Sequence, residues 1–358
     1  MLTPDTLLNE RYRVVRLIGQ GGMGAVYEAV DQRLRARVAL KQTTVGGEQL
    51  SRAFEREAQL LAGLRHPALP RVIDHFITPE GQFLVMEFIP GDDLAAMLRA
   101  RAGGFPLTQA LAWADQLLDA LEYLHSQSPP VVHRDIKPQN LKLTPRDEII
   151  LLDFGLAKGS AALATKAEGA DASVFGYTPQ YAPIEQVQGT GTNPRSDLYS
   201  LAATIYHLLT GQSPADALTR AAAVLNGSPD PLRPADALNS GVPRAVAGVL
   251  AQALTLRADE RFVSAAAMRR AMREAAADAP AASIGPTLVA RRPQTIAPPA
   301  PARVAESYAV EPTPDAARAE LSAPKPARRR GRGWLILLIV VMLVLLGVAL
   351  GDVLFSGV

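Results

Sequence analysis

The feature that most limits the fold is an abrupt change of hydrophobic period along the chain. Residues 12–18, 25–30, 38–43, 72–76 and 83–88 are short runs rich in branched and aromatic side chains, the pattern of β-strands. One helical pattern interrupts them, with Phe54, Ala58 and Leu61 recurring between the third and fourth runs. From Thr108, a residue type suited to an N-cap, to His125 the period becomes helical, and it is helical again at 197–209, 243–254 and 264–275. Strands segregated from helices in this way predict an α+β chain, a small β-rich lobe followed by a larger helical lobe. With 358 residues, 48% of them hydrophobic, there is ample material for a buried core.

Composition divides the rest. There is no cysteine, which excludes disulfides, thiolate metal sites and cysteine nucleophiles. A formal charge of +2 gives no global pull toward nucleic acid. Residues 1–13 hold no apolar run of signal-peptide length, so the first domain, 11–277, is expected in the cytosol. Beyond it, 278–333 turns rich in Ala and Pro and ends on Arg328, Arg329, Arg330 and Arg332, which reads as an extended linker with a basic end.

Residues 334–350 then run from Trp334 to Leu350 without a charge. At about 1.5 Å per residue they reach roughly 25 Å, the lower limit for a single membrane-spanning helix, against the alternative of a buried core helix. Arginines on one flank and Asp352 on the other put the N-terminal side in the cytoplasm. The tail 351–358 would be too short for an external folded domain. Gly347 and Gly351 suit close packing of a second copy only weakly, so a homodimer through this helix stands as an open alternative to a monomer.

Between the first two strand patterns lies Gly19-Gln20-Gly21-Gly22-Met23-Gly24-Ala25-Val26. Glycines there would let backbone amides close over anionic oxygens; a plain flexible hairpin tip is the other reading. A strand on both sides argues against a dinucleotide fold, which needs a helix after the glycines. Lys41, in the apolar run Val38-Ala39-Leu40-Lys41, calls for an anionic partner, and Glu57 on the following helix can supply it; a surface lysine is the alternative. Further on come His133-Arg134-Asp135-Ile136-Lys137-Pro138-Gln139-Asn140 and, after the apolar run 149–152, Asp153-Phe154-Gly155.

Glycine loop, strand lysine, helix glutamate, His-Arg-Asp loop and Asp-Phe-Gly turn occur in the order of the protein kinases, which the chain resembles over about 11–275. The Gly-Gly-Met-Gly form, with Lys137 after the aspartate, is similar to the bacterial eukaryotic-like (Hanks-type) serine/threonine kinases. The resemblance implies a bilobal fold, N-lobe 11–88 and C-lobe 89–277, using ATP with Mg2+ or Mn2+. It gives Lys41, paired with Glu57, the α- and β-phosphates, and Asn140 and Asp153 the metal. Asp135 takes the substrate hydroxyl proton, and Lys137 neutralises charge on the γ-phosphoryl. Met86, Glu87 and Ile89 match the hinge that meets adenine, with Ala39 beside it. Arg134 calls for a phosphate on the activation segment, with Thr165 or Ser173 as autophosphorylation sites and plain loop residues as the alternative. Thr178 matches the threonine that bonds the catalytic aspartate and lysine, and Asp197 the helix aspartate that fixes the loop backbone.

One departure stands out: Pro183-Ile184-Glu185 replaces Ala-Pro-Glu, which retains Glu185, with Arg261 to pair with it, but puts substrate docking in doubt. Implied partners are proteins with Ser/Thr acceptors. A phosphothreonine-reading protein is a further expected partner if Thr287, Thr295 or Thr313 in the linker is modified. The competing readings are an inactive pseudokinase scaffold, against which Lys41, Asp135 and Asp153 speak, and a small-molecule kinase, which the long activation segment disfavours.

Overall fold

Two facing glycines end the pairing of the first two long strands of the first lobe. Strand β2 (Tyr12–Gly21) runs antiparallel to β3 (Gly24–Asp31), with Gly21 opposite Gly24 and Tyr12 opposite Asp31. With β1 (Leu7–Leu8), β4 (Ala36–Thr43), β5 (Val72–Thr78) and β6 (Gly81–Glu87) they form a six-stranded sheet in the order β1-β2-β3-β4-β6-β5. The computed structural model describes residues 1–21, 24–43, 48–154 and 178–278. The linker and apolar segment expected beyond 278, and Gly22, Met23, Gly155, Thr165 and Ser173, lie outside the described residues.

Alternation along the strands separates the lobe's own core from its working face. Tyr27, Ala29, Val38, Leu40, Phe83 and Val85 are buried together with Tyr12 and Val14 on one face. On the other, Val26 pairs in register with Lys41, Lys41 with Leu84, and Ala39 with Met86. Helix α1 (Glu48–Gly63) crosses between β4 and β5 and packs on β5 and β6.

The second lobe carries α2 (Leu94–Arg99), α3 (Leu107–His125), a 3-10 turn at Pro138–Asn140, and the two-stranded β7 (Leu141–Leu143) and β8 (Ile149–Leu151). After these come α4 (Ile184–Val187), α5 (Pro194–Thr210), α6 (Ala217–Leu225), α7 (Ala235–Leu238), α8 (Arg244–Ala253) and α9 (Ala265–Ala277). Helix α3 begins on Leu107 with Pro106 as its N-cap, so Thr108 sits inside the first turn. Proline's fixed φ sets the chain entry there without a side-chain cap.

Helix α5 is sharply bounded. Asn193 and Ser196 cap its start reciprocally, Pro194 fills the first turn, and Gly211 ends it at φ 72°. Every residue from Ser196 to Tyr206 is buried, as in a helix surrounded by core on all sides. One apolar cluster joins α5 to Trp113, Leu117 and Leu121 of α3 and reaches Ala58, Leu61, Leu84 and Met86 in the first lobe. The two lobes therefore share a core along α1 and β6, and open toward each other beside it.

Candidate active site

Between the lobes lies a cleft of about 730 Å3. Its roof is the working face of the sheet: Gly19, Gln20, Gly24, Ala25, Val26, Ala39 and Lys41 line it, with Met86, Glu87 and Ile89 at the back. Its floor is Asp135, Lys137, Asn140, Asp153, Phe154 and Thr178. Gly24 needs to be glycine: its φ is +156°, and a Cβ would lie 1.9 Å from the carbonyl oxygen of Gln42. The roof can therefore approach a ligand with bare backbone.

Lys41 bridges roof and floor. Its Nζ lies 3.2 Å from Asp153 Oδ1 and donates to the carbonyl of Phe154 at 3.3 Å. Glu57 stands on α1, and its side chain lies outside those described. On the floor, Lys137 Nζ donates to Asp135 Oδ1 at 3.1 Å and to Thr178 Oγ1 at 3.2 Å. Asn140 Nδ2 donates to the Asp135 carbonyl at 2.7 Å and to its Oδ2 at 2.9 Å. Both amide hydrogens of Asn140 are thereby turned toward Asp135, leaving its oxygen as the acceptor. A carboxylate, an ammonium, an amide and a hydroxyl thus share one small volume without an apolar residue between them.

What holds this loop is a carboxylate with no solvent contact. Asp197 of α5 is fully buried and accepts from the backbone N–H of His133 at 2.8 Å and of Arg134 at 2.9 Å. His125 Nε2 lies 2.9 Å from the same Asp197 Oδ2. The grip matters because Arg134 has φ 68° and Asp153 φ 57°, left-handed conformations that a side-chain-bearing residue adopts only when its surroundings impose them. His133 packs its ring 4.7 Å from that of Phe154, and full burial pushes its pKa down to about 4. Arg134 Nε donates to Thr192 Oγ1 at 2.8 Å, and its carbonyl accepts from Gln186 Nε2 at 2.9 Å.

Glu185 and Arg261 form a two-pronged pair at 2.7 and 3.1 Å, joined by Ser196 Oγ at 2.7 Å. Burial works to raise the Glu185 pKa, but Arg261 and Ser196 outweigh it and hold the carboxyl below its ordinary value. Arg261 also donates to the carbonyls of Thr255, Arg195 and Leu256, so this pair ties α4, α5 and the segment before α9 together. Neither residue lines the cleft.

Several contributors went unremarked in the sequence reading. Asp93 lines the cleft and caps α2 through Ala96 N–H at 2.8 Å; an aspartate just ahead of an apolar helical run is the signal for it. Lys142 interrupts two leucines in β7, the same anomaly that singled out Lys41. Thr192, Gln186 and His125 are positioned only by the fold, and no local pattern marks them.

The chemistry of the donors fits a nucleotide with a hard divalent cation. The cleft offers bare glycine backbone and a lysine at one end and the oxygens of Asn140 and Asp153 near Asp135. Among the described residues no group of three or more His, Asp or Glu could by itself hold a metal ion.

Comparison with known proteins shows the family. The protein kinase domain matches residues 12–269. The chain is 36% identical over 277 residues to the serine/threonine-protein kinase PksC of Streptomyces coelicolor, covering 74% of this chain and 48% of that one. With PknA of Mycobacterium tuberculosis it shares 38% over 238 residues, 63% of this chain and 54% of the relative. It thus spans about half the length of these curated relatives. Among solved structures, the Mycobacterium tuberculosis PknI kinase domain superposes with a TM-score of 0.61 at 27% identity, over 77% of this chain and 100% of that domain. The chain belongs to the protein kinase domain family, in its bacterial Hanks-type serine/threonine branch.

Proposed function

We propose that the chain is an ATP-dependent serine/threonine protein kinase anchored to a membrane. The observation that carries the transfer reaction is the cluster of Asp135, Lys137, Asn140 and Thr178 at 2.7 to 3.2 Å on the floor of one cleft. Phosphoryl transfer asks the protein for position and charge more than for covalent chemistry. Lys41 orients the α- and β-phosphates. Asn140 and Asp153 would hold Mg2+ or Mn2+, which when bound would supply neutralising charge to the phosphate oxygens. Asp135 accepts the proton of the attacking serine or threonine hydroxyl at its carboxylate. Lys137, already bonded to Asp135 and Thr178, stabilises the charge on the transferred group. Thr178 links the protein-substrate side of the floor to that lysine.

Incubation with γ-labelled ATP, Mg2+ and a general protein substrate tests this reading. Label is expected on serine and threonine. No transfer, or label confined to tyrosine, would refute it.

Regulation and location extend the proposal. Thr165 or Ser173 is autophosphorylated and the phosphate meets Arg134. Mass spectrometry after ATP incubation is expected to find phosphate on one of them, and an active protein bearing none sinks the idea. The uncharged segment 334–350, flanked by Arg328 to Arg332 on one side only, supports a single-pass anchor with the catalytic domain on the cytoplasmic side. Thr287, Thr295 and Thr313 in the linker are candidate phosphothreonine docking sites for a partner, and Gly347 and Gly351 a contact for a second copy.

A further inference from the structure

Lys142 stands in an unusual place for a cation. It lies on β7 between Leu141, which is fully buried, and Leu143, and its side chain lines the back of the cleft. Its Nζ donates to the carbonyl of Ile89 at 3.2 Å and to that of Gly91 at 2.7 Å. Its backbone also bridges to Asp93, the N-cap of α2. One side chain therefore binds the turn that leaves β6, while its main chain binds the end of that turn.

The turn is shaped for this. Pro90 fixes one backbone angle, and Gly91 sits at φ +93°, a left-handed conformation open to glycine. A Cβ at Gly91 would find its nearest neighbour at 3.8 Å, so conformation rather than space selects glycine. Together they aim two carbonyls, two residues apart, at a single ammonium. Half-burying an ammonium costs energy unless donors are matched by acceptors, and these two carbonyls are the match. Burial lowers the pKa of Lys142, with Asp93 and Asp92 working to raise it.

We propose that Lys142 is a positioning residue for the nucleotide: it clamps the Ile89–Gly91 turn to β7 and so fixes the width of the cleft where the base enters. The inference rests on the reading of the cleft as an ATP site. Because the clamp acts on the wall and not on Asp135, it governs how tightly ATP is held and leaves the transfer step alone.

Lys142→Met keeps the apolar stem and removes the donors; Lys142→Arg keeps cation and donors. In the full chain, the Kd for a non-hydrolysable ATP analogue with Mg2+, the KM for ATP and kcat are measured for each. Amide exchange at Gly91, Asp92 and Asp93 is followed in the nucleotide-free protein. Loss of two charge-assisted bonds is expected to raise Kd and KM roughly tenfold in Lys142→Met, with kcat within about twofold of wild type. Exchange at the turn should quicken, and Lys142→Arg should restore most of the affinity. A Lys142→Met protein that binds the analogue like wild type, or that loses kcat with KM unmoved, overturns the clamp while leaving the ATP reading intact. Wild type failing to bind the analogue overturns both. Should Lys142→Met not fold, Lys142→Leu, which also lacks donors, carries the same comparison.

Discussion

Lys41 reaches the cleft from a strand whose opposite face carries the small core of the first lobe, whereas Asp135 reaches it from a loop whose backbone hangs on a carboxylate buried in α5. The roof is mostly main chain and short side chains, and β2 leaves Val15, Leu17 and Ile18 partly exposed. The floor is a set of side-chain bonds resting on the larger of the two apolar clusters among the described residues. A sheet with one thin core can shift as ligand enters and leaves; a loop pinned from beneath keeps reacting groups within fractions of an ångström. Binding and chemistry are thus assigned to parts of different stiffness.

The sharpest way to break this contrast is to remove the pin. Asp197→Ala leaves two backbone N–H groups and His125 without their acceptor inside the protein. It is expected to cost about 3–5 kcal/mol in urea unfolding and to abolish transfer. A variant of near wild-type stability would show that the floor stands without α5.

Acid probes the same support. His133 binds a proton in the unfolded chain near pH 6.5 but in the folded one only near pH 4, so stability should fall as pH drops through that window. The full loss is roughly 3 kcal/mol for a shift of this size. Glu185, whose folded pKa is lowered, contributes stability above its unfolded pKa that disappears as pH falls further. Both act in the same direction. In His133→Phe the slope between pH 6.5 and 4 should flatten; an unchanged slope assigns it to other groups.

A smaller effect is expected far from the cleft. Arg269 of α9 bonds Asp115 and Asp119 of α3 at a partly exposed surface. Arg269→Ala should cost about 1 kcal/mol or less and leave transfer unaltered. A larger loss would extend the rigid floor to the outer helices.

How much of this was legible in the sequence follows from range. Strand and helix periods depend on neighbours, and β2, β4, α5 and α9 lie where Tyr12 to Ile18, Val38 to Thr43, Asp197 to Leu209 and Ser264 to Ala275 placed them, give or take an end. Helix ends were harder: Thr108 has the chemistry of a cap, yet Pro106 sets the boundary through its backbone. The short α2 and α6 lacked enough turns to show a period. Among site residues, Lys41, Met86, Asp135, Lys137, Asn140, Asp153 and Thr178 line one cleft although Lys41 and Asp153 are far apart in sequence, a proximity no local pattern contains. Thr192 beside Arg134 and Lys142 beneath Ile89 depend on how loops meet, so only the fold reveals them.

The division between a binding roof and a reacting floor is tested most directly in Asp135→Ala, by measuring ATP affinity and the single-turnover rate of phosphoryl transfer on the same preparation. Transfer should fall by about 100-fold or more while ATP affinity stays within about threefold of wild type. Transfer at the wild-type rate, or affinity and transfer lost together, would contradict it.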